Sequence, residues 1–251
     1  MTRLTGTRDP KRPTMPAPPQ RARKTRKSSP LRLADPRVRL GLGTAAVLVT
    51  ALSAHRNRVG HCETRAFRVV NGLPDSLYIP AWVIMQLGTL GAAPAAAGAA
   101  LLAHDRALAG RLLAGGTGTW ALSKLVKQMV RRPRPAALVS GTRTRGRDAS
   151  GLGYPSGHAG VAVALGTAAF PHLSPPGRAV VAAAVPIVGL SRIYVGAHLP
   201  LDVAGGAALG LAVGAAVALA RQPSGHKNQP DVLPGQIRPE VLLPLLRCGD
   251  C

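Results

Sequence analysis

Long apolar stretches constrain the fold of this chain more than any other feature of its sequence. A helix needs about 20 apolar residues to cross a bilayer, and backbone polar groups must be paired inside lipid. The expected fold class is therefore all-α, a polytopic membrane helical bundle of about six transmembrane helices. The predicted spans run from Val38 to Ala54, Tyr78 to Ala103, Leu108 to Val126, His158 to Phe170, Ala179 to Val195 and Leu201 to Ala220.

Charge is gathered outside these stretches. The net charge is +22 although only 17% of residues are charged, and the first 39 residues hold twelve Lys or Arg. Such a basic, proline-rich segment buries too little apolar surface to offset its ordering entropy. We predict a disordered basic tail at 1–37, a transmembrane domain at 38–221 and a mobile C-terminal tail at 222–251. Because no aromatic residues are interleaved with the basic residues, anionic lipid heads are favoured over nucleic acid as the tail's partner.

The same basic tail indicates the orientation in the cell membrane. Lys and Arg beside a first span favour the cytoplasmic side, so the N-terminus is predicted to be cytoplasmic. With six spans, the loops at 55–77, 127–157 and 196–200 then lie together on the extracytoplasmic face. One span fewer between any two of these loops would separate them by the membrane.

The loop after the third span contains several cations. Lys127 ends that span, and Arg134 lies between Pro133 and Pro135, which stiffen the segment. An ammonium and a planar guanidinium both suit phosphoryl oxygens, so an anionic ligand is predicted here. A solvated basic loop is the alternative. The loop's arginines are Arg131, Arg132, Arg134, Arg143, Arg145 and Arg147.

A second motif, Pro155-Ser156-Gly157-His158, directly precedes the fourth span. Ser156 is a good N-cap, and Gly157 lets an anion approach the backbone closely. The free N–H groups of a helix start can bind an anion, so this string predicts an anion site next to an imidazole. Taken alone, a helix cap beside an incidental histidine is the simpler interpretation.

The third motif is Ser191-Arg192 with His198 and Asp202. Pro200 fixes the start of the sixth span and places Asp202 in its first turn, where the carboxylate can fold back towards His198. A hydrogen bond from Nδ1 to Asp202 would leave Nε2 of His198 free as a nucleophile. A capping carboxylate and an interfacial histidine is the alternative, but Arg192 near lipid is costly without an anionic partner.

Together the three motifs resemble the signature of the type 2 phosphatidic acid phosphatase superfamily over about residues 38–220. The matching strings are Lys127-x6-Arg134-Pro135, Pro155-Ser156-Gly157-His158 and Ser191-Arg192-x5-His198-x3-Asp202. The resemblance implies a helical, metal-independent membrane phosphatase in which His198 is the nucleophile, Asp202 orients it and His158 protonates the leaving group. It also implies that the phosphoryl oxygens are held by Lys127, Arg134, Ser156, Gly157 and Arg192.

The expected substrate is therefore a membrane lipid phosphate or diphosphate, with an isoprenoid such as undecaprenyl diphosphate as the first choice. No cofactor is expected. The sequence has only ten Asp and Glu residues and shows no Asp/Glu/His cluster with metal-ligand spacing. Two alternatives stay open. One is a vanadate-dependent haloperoxidase-like enzyme, and the other is a non-catalytic membrane protein that binds lipid headgroups. The oligomeric state and the roles of Cys248 and Cys251 cannot be predicted.

Overall fold

The computed structural model describes residues 35–146 and 150–221, and these residues form helices and loops with no β-strand. The prediction of an all-α fold is confirmed for this part of the chain. The predicted tails, except for residues 35–37, lie outside it, as do Arg147, Cys248 and Cys251. The α-helices of the described ranges are α1 (Pro36–His55), α2 (His61–Asn71), α3 (Tyr78–Met85), α4 (Ala92–Leu102), α5 (Arg106–Val130), α6 (Pro135–Leu138), α7 (Gly157–Ala169), α8 (Pro175–Tyr194) and α9 (Pro200–Ala220).

Each predicted apolar segment coincides with one or two of these helices. Helix α1 begins earlier than expected, because Asp35 caps it by accepting from the backbone N–H of Arg37 at 2.8 Å. The predicted tail boundary after residue 37 therefore falls inside a helix. The second predicted span is broken, since α3 and α4 with their flanking turns meet at a bend of 69°.

The predicted count of six spans is not confirmed. By length and composition, α1, α8 and α9 can cross a membrane, and the bent α3–α4 pair makes a fourth candidate among the described residues. Helix α5 has 25 residues, but its basic side chains lower its mean hydropathy. Helix α7 has 13 residues and rises about 20 Å, less than the roughly 30 Å of a hydrocarbon core.

The segment 55–77 was expected to be a loop and instead contains helix α2. This helix is strongly amphipathic, with Phe67 and Asn71 buried and basic residues exposed. Asn71 donates to the carbonyl of Tyr194 at 3.0 Å and so ties α2 to the end of α8. Short amphipathic helices are missed by a search for long apolar runs, because half of their residues are polar.

Helix α9 is central to the packing, since it contacts α1, α5, α7 and α8. Its contact with α7 depends on small residues that let the backbones approach. A Cβ at Gly210 would overlap the carbonyl of Gly160, and a Cβ at Gly206 would overlap the carbonyl of Ser156. Close packing of these two helices brings the start of α7 beside the start of α9.

Large apolar side chains cover the outer faces of the bundle. Leu48, Val49 and Leu52 on α1 are 59%, 64% and 69% exposed, and Val180 on α8 is 66% exposed. Exposed apolar surface of this extent marks a lipid-facing protein rather than a water-facing one. The structure is therefore that of a membrane protein.

Candidate active site

All eight predicted site residues lie at one end of the bundle, where α5 ends, α7 and α9 begin, and α8 ends. Backbone hydrogen bonds join the motifs directly. The N–H of Ser156 donates to the carbonyl of Asp202 at 2.8 Å, and the N–H of His198 donates to the carbonyl of Arg192 at 3.2 Å. Segments separated by up to 75 residues therefore converge on a single site.

The first motif supplies two anchored cations. Nζ of Lys127 donates to the carbonyls of Leu152 and Gly153 at 3.0 and 2.9 Å, just before the second motif. A guanidinium nitrogen of Arg134 donates to the carbonyl of Ala197 at 2.8 Å, next to His198. Both side chains are half-buried, so these contacts hold the positive charges in place.

The second motif forms the predicted helix start. Ser156 is the N-cap of α7, and its hydroxyl accepts from the N–H of Ala159 at 3.5 Å. Gly157 is the first residue of the helix and His158 follows it. The carbonyl of His158 packs against Gly88 at the break between α3 and α4 so closely that a side chain at Gly88 would overlap it. The broken span therefore lies against this end of the site.

The third motif places Arg192 in the last turn of α8 and His198 in the short connection to α9. A guanidinium nitrogen of Arg192 lies 3.3 Å from the sulfur of Met85, and its buried Nε has no partner in the described part of the chain. A cation with so few partners is well placed to bind an anion.

His198 and Asp202 face each other as predicted, with one difference. Nδ1 of His198 lies 3.7 Å from Oδ2 of Asp202, slightly beyond hydrogen-bond length, and both side chains are buried. Oδ2 is already an acceptor, since the N–H of Leu199 donates to it at 2.9 Å. Asp202 therefore caps its own helix, and a small rotation of the imidazole would complete the contact. Nε2 lies on the side of the ring away from Asp202.

Two residues of this region, Arg132 and Glu63, were not predicted as site residues. The side chain of Arg132 is fully buried and donates to Oδ1 of Asp202 at 2.9 Å. It also forms two hydrogen bonds with the carboxylate of Glu63, at 3.1 and 2.8 Å. In the sequence, Arg132 is one of several loop arginines and carries no motif of its own. The scarcity of acids in the chain was a signal that favours a paired Glu63.

No carboxylate of the described residues pairs with the remaining cations of the site. Among the described residues, ion pairs with carboxylates involve Arg132, Arg145, His172 and His198, and none involves Lys127, Arg134 or Arg192. Three half-buried positive charges thus surround the imidazoles, close enough to interact electrostatically. Such a cluster is complementary to a phosphoryl group with its three charged oxygens.

Burial lowers the pKa of the His198 imidazole to about 3. The nearby negative charge of Asp202 opposes this lowering of the pKa, while the charges of Lys127 and Arg192 add to it. His198 is therefore neutral near pH 7, the state in which an imidazole nitrogen has a free lone pair for nucleophilic attack. The described residues contain no group of three or more His, Cys, Asp or Glu side chains that could hold a metal ion.

Comparison with known proteins relates this site to one family. The family model of the PAP2 superfamily matches residues 108–225. The chain is 38% identical over 114 residues to decaprenylphosphoryl-5-phosphoribose phosphatase of Mycobacterium tuberculosis, in two strains. That alignment covers 42% of this chain and 58% of the relative, so this chain spans less than two thirds of the curated proteins that it matches.

Two solved structures share the fold. The crystal structure of Aquifex aeolicus LpxE has a TM-score of 0.52 and 22% identity, covering 62% of this chain and 93% of that one. A transmembrane PAP2-type phosphatidylglycerolphosphate phosphatase from Bacillus subtilis has the same TM-score and identity, covering 71% and 95%. The resemblance to the type 2 phosphatidic acid phosphatase superfamily is thereby confirmed, and the similar proteins are phosphatases.

The low pKa of His198 makes stability depend on pH. Above its ordinary pKa of 6.5 the histidine is neutral in both the folded and unfolded states. As pH falls towards 3, only the unfolded state takes up the proton, so folding loses about 1.4 kcal/mol per pH unit. We expect this one group to cost about 2 kcal/mol at pH 5 relative to pH 7. Thermal unfolding in detergent should show a smaller acid destabilisation for His198→Gln than for the wild type, and equal pH slopes would contradict the burial argument.

Proposed function

We propose that this chain is an integral-membrane phosphatase that hydrolyses a lipid phosphate or diphosphate through a phosphohistidine on His198, without a metal ion. The proposal rests on the cluster of Lys127, Arg134 and Arg192, which pair with no carboxylate in the described part of the chain and surround the buried neutral imidazole of His198. The family match supports the same chemistry.

In the first step, Nε2 of His198 attacks phosphorus while the bond from phosphorus to the leaving oxygen breaks. His158, which is protonated when the phosphate anion is bound beside it, donates this proton to that oxygen and becomes neutral, and the positive charge of the phosphorylated imidazole faces Asp202. The three cations, with Ser156 and Gly157 at the start of α7, hold the equatorial oxygens as their charge is redistributed. In the second step, water gives a proton to His158 and attacks phosphorus, which breaks the phosphorus–nitrogen bond and releases phosphate.

A long apolar groove supports a lipid substrate. The groove has a volume of about 750 Å³ and lies between α4, α5, α7 and α8. It extends from the helix break at Gln86 and Leu87, beside His158, past Ala162 and Leu165 to His172 beyond the far end of α7. A hydrocarbon chain could lie along α7 with its phosphate at the site and its remainder in the bilayer.

The substrate class that we favour is an isoprenoid carrier lipid. Undecaprenyl diphosphate was the first choice from sequence, and the Mycobacterium tuberculosis relative is named for a phosphate on decaprenylphosphoryl-5-phosphoribose. Both substrates combine a polyprenyl chain with a terminal phosphate, which the groove and the cations would accept together. Release of phosphate from each lipid, measured side by side, distinguishes them.

Replacing the nucleophile should abolish turnover. We expect His198→Ala to lower phosphate release from the preferred prenyl substrate by at least about a thousandfold, and Asp202→Asn to lower it severely through the wrong tautomer. His55→Gln, at the end of α1, is the control and should retain wild-type turnover. A near-normal rate for His198→Ala would show that the nucleophile is wrongly assigned, and a loss of wild-type turnover in excess chelator would reject the metal-free mechanism.

Narrowing the groove should discriminate against long chains. Ala96 lines the groove on α4, and Ala96→Leu adds three carbons to its wall. We expect kcat/KM to fall about tenfold or more for a polyprenyl phosphate and to change little for a short, water-soluble prenyl diphosphate. Ala46→Leu, on an exposed position of α1, is the matched control. Equal losses with both substrates would place the lipid chain elsewhere.

The site is proposed to face the extracytoplasmic side, with the N-terminus in the cytoplasm. Cys62 offers a direct test, because it is exposed at the start of α2 and precedes Glu63. In a Cys248→Ser, Cys251→Ser variant, a membrane-impermeant maleimide should label Cys62 in intact right-side-out vesicles. Cys62→Ser should remove the label, and labelling that requires opened vesicles would reverse the orientation.

A further inference from the structure

A buried ionic network lies directly behind the proposed nucleophile. Arg132 follows α5, Glu63 belongs to α2 and Asp202 to the first turn of α9, so three separate elements contribute one member each. Nη1 of Arg132 donates both to Oδ1 of Asp202 at 2.9 Å and to Oε1 of Glu63 at 3.1 Å. Nη2 completes a two-pronged contact with Glu63 at 2.8 Å.

We propose that Arg132 and Glu63 are positioning residues that keep Asp202 ionised and directed at His198. This inference rests on the proposed function, since it assigns them a part in the phosphotransfer by His198. Neither residue is proposed to touch the substrate. Their effect on the reaction passes through the carboxylate of Asp202.

The total charge of the network and His198 changes during the reaction. In the resting site Arg132 carries one positive charge and the two carboxylates carry two negative charges, so the network has a net charge of −1. Attack by Nε2 makes the His198 ring cationic, which brings the total for these four groups to zero. A buried charge is stabilised only by a partner of opposite sign, so the network favours the phosphorylated state of the ring.

Asp202 and Glu63 both accept hydrogen bonds from the same nitrogen of Arg132. Without that guanidinium the two neighbouring carboxylates would repel each other, which favours a proton bound between them. A protonated Asp202 could no longer stabilise the cationic ring.

Backbone contacts at the start of α9 hold both carboxylates in place. Oε1 of Glu63 accepts from the N–H of Leu201 at 3.0 Å, and Oδ2 of Asp202 accepts from the N–H of Leu199 at 2.9 Å. The two carboxylates thus satisfy donors at the start of α9. Gly153 closes the network from the other side, since a Cβ there would lie 3.0 Å from Oδ2 of Asp202. Asp202 therefore has little freedom to turn away from His198.

The central test is Arg132→Met, which removes the guanidinium and keeps an unbranched side chain. We expect kcat to fall about a hundredfold with KM changed less than about threefold, because ligand-orienting contacts typically account for 10- to 100-fold effects. On an Asp202→Asn background the same substitution should cost less than about threefold further. Arg178→Met is the control, because Arg178 donates to the carbonyls of Phe170 and Pro171 at the opposite end of α7 and should leave kcat unchanged.

A charge-compensating pair separates positioning from mere structural support. In the double variant Arg132→Met, Glu63→Gln, a neutral amide replaces the carboxylate of Glu63. We therefore expect kcat to recover at least about tenfold over Arg132→Met alone. Arg132→Lys keeps the charge but loses the two-pronged contact, so its kcat should lie between those of wild type and Arg132→Met. It takes the place of Arg132→Met if the methionine variant does not fold. The proposal would be overturned if the losses of kcat in Arg132→Met and Asp202→Asn were fully additive. It would also be overturned if Glu63→Gln did not restore kcat in the Arg132→Met variant.

Phosphorylation of His198 can be measured without any lipid, and therefore independently of the proposed function. Potassium phosphoramidate is a small anionic phosphoryl donor that can bind among the cations of the site, and the rate at which it phosphorylates His198 can be followed by mass spectrometry. We expect labelling at least about tenfold slower in Arg132→Met than in wild type. If wild type is labelled but releases phosphate from no lipid, the proposed function fails alone. Equal labelling rates in the two proteins would overturn the positioning role.

Discussion

The arrangement of the site depends on the contacts of one carboxylate, that of Asp202. It is wholly buried, and it accepts from Arg132 and from the backbone of Leu199 while it faces His198. A buried carboxylate is costly unless each of its acceptor positions is satisfied, so the fold must bring these donors together or lose stability. The need to satisfy one carboxylate thus fixes the end of α5, the start of α9 and the loop that carries His198 relative to each other.

The cations of the site fall into two groups with different roles. Arg132 is paired with two carboxylates and fully buried, whereas Lys127, Arg134 and Arg192 have carbonyl or sulfur partners and no carboxylate among the described residues. Carbonyl groups orient a cation without cancelling its charge. Arg132 therefore stabilises the folded site. The other three cations keep a positive potential that an anionic substrate would neutralise.

Sequence patterns predicted the helical fold and the helix starts at the second and third motifs, because both depend on local signals. Ser156 and Pro200 mark helix starts in the structure as they did in the sequence, and each precedes an apolar stretch. Arg132 and Glu63 were missed for the opposite reason. Their pairing joins positions 69 residues apart, and nothing in the local sequence around either residue distinguishes a buried ion pair from a solvated charge. The count of six spans is not confirmed at two helices in which charge and length disagree, since α5 is long but basic and α7 is apolar but short.

Helix α7 is too short to cross a bilayer, since its 13 residues rise about 20 Å. In a membrane, the proposed site at its start would therefore lie below the surface. The break between α3 and α4 packs its Gly88 against the carbonyl of His158, so the irregular backbone of the break contacts protein there. A phosphate bound at the start of α7 would be reached from water on one side, while its hydrocarbon chain would enter the groove beside the same break. The break and the short helix would thus act together and let a charged headgroup and an apolar chain meet at His198.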